Sequence, residues 1–202
     1  MKDRSSKASR VVSFAKKTGV FRIKDIVASE IHPEYMRRLV SKGVLTKSGR
    51  GLYSLSDADV TENHTLVEAC KWVPHGVLCL LTALRFHNIG TQLPFEVWMA
   101  IDRRAARPRV NYPALRIMRF SGSALKEGIQ EHRIEGVKVK VYSPAKTVAD
   151  CFKYRNKIGL DVALEALRDC WRSHKCTMDQ LWHFAKVCRV SNIMRPYLES
   201  LV

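Results

Sequence analysis

A chain of 202 residues has room for one or two compact units, and an apolar fraction of 46% interspersed with charge excludes a largely disordered chain. Lys and Arg number 35 against 19 Asp and Glu, and this net charge of +16 points to polyanionic partners, nucleic acid first among them. The start Met1 to Lys7 leads into no signal-length apolar stretch, and the longest apolar run, Val77 to Leu81, is far too short for a bilayer, so a soluble cytoplasmic protein without membrane contact is expected.

From Ser5 to Lys17, Ala8, Val11, Val12 and Ala15 recur at helical spacing with Phe14 beside them, and Thr18-Gly19 supplies a stop. A short second helix follows, with Ile23, Ile26 and Val27 on one face. Pro33 suits a first helical position, and a third helix runs from there to Lys42, closed by Gly43. On its wheel Met36, Leu39 and Val40 form the packing side, while Glu34, Arg37, Arg38, Ser41 and Lys42 occupy the other. Val44-Leu45-Thr46 and Leu52-Tyr53-Ser54-Leu55 read as two strands around a basic tip, Lys47-Ser48-Gly49-Arg50-Gly51.

Three helices followed by a basic hairpin is the order of a winged helix-turn-helix, expected over residues 1–60. That segment holds thirteen Lys and Arg against six Asp and Glu, the denser part of the charge. The second helix of the pair enters the major groove and the wing follows the backbone. The expected DNA contacts are Arg37, Arg38, Ser41, Lys42, Lys47 and Arg50, with Arg38 foremost for a base edge. Lys2, Arg4, Lys7 and Arg10 supply further phosphate contacts. A module of the same shape used only for protein contacts is the alternative, told apart by absence of DNA affinity.

Residues 61–202 read as a second, mixed domain, so the fold class is α+β. Helices are expected from Asn63 to Trp72 and from Val77 to His87. A small sheet over about 95–142 takes strands at Phe95 to Ile101, Leu115 to Phe120 and Val137 to Tyr142. Helices fill about 143–202, with one stripe of Leu160, Ala163, Leu164, Leu167 and Trp171, a second of Met178, Leu181, Trp182 and Ala185, and a third of Ile193, Met194, Tyr197 and Leu198. Arg103, Arg104, Arg107 and Arg109 crowd one loop, either a second polyanion contact or a solvated turn.

No residues carry an enzymatic reading. Nucleotidyl transfer needs a Gly-Ser turn followed by paired carboxylates; Gly122-Ser123 is present, but Asp57 and Asp59 precede it. A metal nuclease finds only Glu96 and Asp102 near one strand, and this second alternative would announce itself by metal-dependent loss of DNA. Cys170, His174, Cys176, His183 and Cys188 lack the paired spacing of a structural zinc site, and the six cysteines read as reduced, buried thiols. No catalytic residue, metal or cofactor is expected.

The runs Gly43-Val44-Leu45 and Gly51-Leu52-Tyr53, then Gly76 to Leu84, Pro94 to Ile101, and Tyr142-Ser143-Pro144-Ala145-Lys146-Thr147-Val148-Ala149-Asp150 resemble the AbiEi family, antitoxins of type IV abortive-infection toxin-antitoxin systems. The resemblance implies a phage-defence role. It implies a winged helix that represses its own operon on inverted repeats of double-stranded DNA, which suit a homodimer. It further implies a second domain acting as antitoxin to a cognate nucleotidyltransferase toxin. The third helix and the wing carry the matching positions; no individual residue of the second domain does.

Overall fold

The computed structural model describes residues 2–27, 32–48, 51–58 and 61–201, with side chains from residue 7 onward. Helices and strands alternate in an α+β chain that divides into two compact units. The first comprises residues 1–74 and 133–139, the second 75–132 and 140–202.

The first unit opens with α1 (Lys2–Thr18), β1 (Phe21–Arg22), α2 (Ile23–Val27), α3 (Glu34–Ser41), β2 (Leu45–Ser48) and β3 (Leu52–Leu55). This is winged helix-turn-helix order, with β1 added to the hairpin in an antiparallel sheet β1-β3-β2. Val11 and Ala15 of α1, Ile26 of α2, and Met36 and Leu39 of α3 close over Phe21, Leu45 and Tyr53 in one core. Phe21 meets Phe14 edge-on and stacks on Tyr53. Val27 departs from the expected inward face: α2 is only five residues long, too short to bury both Ile26 and Val27, and Val27 is exposed.

Gly43 ends α3 at φ +68. Its N–H donates to Val40 O and that of Val44 to Leu39 O, the paired bonds of a Schellman cap. Lys47 and Ser48 lie within β2 rather than in the hairpin tip, Lys47 opposite Tyr53. Helix α4 (His64–Trp72) also belongs to this unit. Glu135 anchors its entry, accepting from Thr61 N and Oγ1 at 2.8 Å and lying 2.7 Å from His64 Nδ1. Burial acts to raise the Glu135 carboxyl, but these partners outweigh it and hold the group below its ordinary value.

The second unit is built on strands β4 (Val77–Leu78), β5 (Val97–Asp102) and β6 (Leu115–Phe120), with the parts of β7 (Ile129–Ile134) and β8 (Val137–Tyr142) that lie outside residues 133–139, in the order β6-β5-β4-β8-β7. The pairing is mixed: β4 runs antiparallel to β5 and parallel to β8, and β5 parallel to β6. Two expectations shift. Val77 and Leu78 form a strand before α5 (Leu80–Phe86), because Leu78 pairs on both sides, with Met99 and Val141. Strand β5 begins at Val97, leaving Phe95 in a loop and 90% exposed.

Helix α6 (Ser123–Lys126) follows β6, and α7 (Pro144–Lys153), α8 (Arg155–Ile158), α9 (Leu160–Arg172), α10 (Met178–Val187) and α11 (Ser191–Glu199) complete the unit. Helix α7 is the central post, buried on all sides from Ala145 to Phe152. The inward stripe of α9 is rotated from the expected one: Val162, Ala163, Ala166, Leu167 and Cys170 are buried, whereas Leu160 is exposed and Trp171 half-buried. Small residues at 163 and 166 let the helix approach closely, which moves the larger ones to the flank. Thr177 and Gln180 cap α10 reciprocally. Pro196 sits inside α11.

Candidate nucleic-acid interface

Helix α3 turns one face into the core and leaves the other to solvent. Met36 and Leu39 are buried; Glu34, Arg37, Arg38, Ser41 and Lys42 are exposed. Eight residues span about 12 Å at 1.5 Å each, a length that fits across a major groove.

The solvent face is itself divided. Glu34, Arg37 and Ser41 fall at i, i+3 and i+7 on one strip, and with Lys47 of β2 they line an open groove of about 600 Å³. Arg38 lies outside that lining. Its Nη2 stands 3.5 Å from Glu34 Oε1, an exposed one-turn pair, and its carbonyl accepts from Ser41 Oγ at 2.9 Å. Such a pair contributes little to stability and is readily exchanged for a stronger anion. Among the described residues neither Arg37 nor Lys47 has a carboxylate within ion-pair distance.

The sequence reading overlooked His32, which also lines the groove. Its Nδ1 accepts the Glu34 N–H at 3.3 Å, leaving Nε2 to present a proton outward. A His-Pro step directly before a helix was the available signal. Tyr53 forms part of the groove wall yet is only 7% exposed, so its role there is packing.

The other expected contacts are scattered. Lys7 and Arg10 lie on α1. Arg50 and the side chains of Lys2 and Arg4 lie outside the described residues. Arg103, Arg104, Arg107 and Arg109 belong to the second unit and are exposed in the loop after β5, where Arg119 Nη1 fastens the turn through the Asp102 and Ala105 carbonyls.

Residues 9–56 match the family model described as "Transcriptional regulator, AbiEi antitoxin". This stretch is thus similar to an AbiEi antitoxin domain. The match runs from α1 through β3, and so takes in the core, the exposed face of α3 and the wing strands. The similarity is thus confined to the winged helix-turn-helix part of the chain. A comparison with curated proteins finds no match.

The residues weighed for zinc do not gather in the second unit. Cys170 and Cys176 face each other, Sγ to Sγ 2.8 Å; Cys188 donates to Asp150 Oδ1; His183 pairs with Glu127. All six cysteines are free and buried. Among the described residues no helix is long and apolar enough to cross a membrane.

Proposed function

We propose that the AbiEi-like domain binds double-stranded DNA with α3 in the major groove, and that the protein represses its own operon. The observation that carries this reading is the groove beside α3, whose lining holds Arg37, Ser41 and Lys47 at its polar side and Ile23, Met36 and Val40 at its apolar side. Arg37 meets base edges there, while Lys47 and Arg50 follow the adjoining backbone. Arg38 and Lys42 flank the same helix and reach phosphates or bases once Arg38 leaves Glu34.

The match over residues 9–56 supports the regulator and antitoxin parts of the proposal, which extends further. The chain acts by binding without turnover, in the cytoplasm, as a homodimer on inverted repeats upstream of its own gene. Its second unit supplies the antitoxin role toward a nucleotidyltransferase toxin of a type IV, phage-defence system.

A reporter driven by the DNA upstream of the gene tests the regulatory half. Wild-type protein represses it, and Arg37→Ala with Lys47→Ala relieves the repression at equal protein level. Unchanged repression by that double variant contradicts the assignment of the groove. Growth rescue on co-expression with the neighbouring toxin gene tests the antitoxin half.

A further inference from the structure

A second basic concavity lies in the other unit, with no residue in common with the α3 groove. Ser121, Gly122, Ser123, Lys153, Lys186 and Arg189 line an open cleft of about 420 Å³. Strand β6 ends into Ser121-Gly122, Ser123 opens α6, Lys153 closes α7, and Lys186 and Arg189 stand in and just after the last turn of α10.

Basic residues in a last helical turn are favoured by the helix dipole alone. The dipole does not account for two helix-end lysines and Arg189 lining one cleft with the same pair of hydroxyls. Among the described residues no ion pair neutralises Lys153, Lys186 or Arg189. Glu127 is held by His183 Nε2 at 3.0 Å. Asp150, whose field reaches Lys153, is held by Lys146. Ser121 and Ser123 make no side-chain hydrogen bond among the described residues. Three positive charges with two free hydroxyl donors match an anion that has several charged oxygens and accepts from both O–H and N–H groups.

We infer that this cleft binds phosphate oxyanions. The serine hydroxyls donate to the oxygens, and Lys153, Lys186 and Arg189 neutralise the charge. The group that fits is either the oligophosphate of a small molecule or the phosphodiester backbone of a nucleic acid strand. The site stands independently of the DNA-binding role of α3.

Calorimetric titration of the full chain with tripolyphosphate tests it, beside anisotropy titration with random-sequence single-stranded DNA. A Lys153→Gln/Lys186→Gln variant is compared at near-physiological salt. The expected result is one tripolyphosphate per chain, weakened roughly tenfold or more in that variant, with unchanged melting temperature and with Arg37→Ala binding as wild type. If the double variant loses single-stranded DNA alone, the phosphodiester is the source. Binding of both probes equally by wild type and double variant, or tripolyphosphate uptake without fixed stoichiometry, overturns the proposal and leaves only diffuse attraction to a +16 protein.

Discussion

Lys146 and Asp150 stand one turn apart on α7, both wholly buried, with Nζ 2.5 Å from Oδ2. The ammonium also lies 4.2 Å from the Tyr142 ring centroid and 5.0 Å from that of Phe120. Asp150 Oδ1 accepts from the Cys188 thiol at 3.2 Å. Burial pushes the Asp150 carboxyl above its ordinary value, against the pull of Lys146 and Cys188. This pair sits at the centre of the core of the second unit, in the run Tyr142 to Asp150 whose residues read as packing.

Removing one partner strands a charge in that core. Lys146→Met is expected to destabilise the second unit by about 3–5 kcal/mol. Lys146→Met with Asp150→Leu is expected to cost less than the single change, because no orphan charge remains. Urea unfolding of both variants decides it; equal losses would mean the ion pair itself, rather than charge compensation, holds the helix.

Gly19 marks a close approach within the first unit. It has φ +66, and an added Cβ would collide with the Glu135 carbonyl oxygen. Gly43, at φ +68, faces open space. Gly43→Ala should therefore cost only the backbone term of about 1–2 kcal/mol. Gly19→Ala should cost more than that, since backbone must move. Thermal melts of the two variants give the comparison, and equal shifts would contradict it.

His87 supplies a pH dependence. Burial holds its imidazole below the ordinary 6.5; the bond between Nε2 and Tyr142 O, 2.7 Å, opposes this, while His132 and Lys175 add to the depression. With a depressed folded pKa, the stabilising contribution is present above the unfolded value. It is lost as pH falls below that value toward the folded one, because the unfolded chain takes up the proton first. The melting midpoint of wild type should drop between about pH 8 and pH 5.5, and His87→Gln should flatten that slope. An unchanged slope would remove His87 from the account.

Local pattern made the first unit largely legible. The wheel of α3, its glycine stop and its polar strip are properties of ten consecutive residues, and helix and cap formed as the spacing predicts. Strand β1 was not legible, since two residues carry no period and Phe21-Arg22 become a strand only by pairing with Leu52-Tyr53. Strand β4 is the same case: its partners lie at 99–100 and 141. The Lys146–Asp150 pair was written as an i, i+4 step, yet that spacing ordinarily marks a solvated face. Only the helices packed around α7 turn it inward. In the α3 groove, spacing named Arg37, Ser41 and Lys47, but which of them share a strip depends on where β2 lies, and that set Arg38 apart.

DNA contacts should separate by kind. Arg37→Ala is expected to cost about 1–3 kcal/mol on the cognate site and to relax sequence preference. Lys47→Ala should weaken cognate and random DNA alike and lower the salt slope by about one. Glu34→Gln should strengthen binding modestly by removing an acid from the DNA-facing strip and freeing Arg38. Competition titrations at two salt concentrations read all three effects.

The most direct test of the account is fluorescence anisotropy of the full chain on DNA from immediately upstream of its gene, with excess random duplex and near-physiological salt. Binding is expected to survive the competitor in wild type and to fail in Arg37→Ala. Binding no tighter than to random duplex, or equal specific binding by wild type and Arg37→Ala, would contradict the claim that the α3 groove reads an operator.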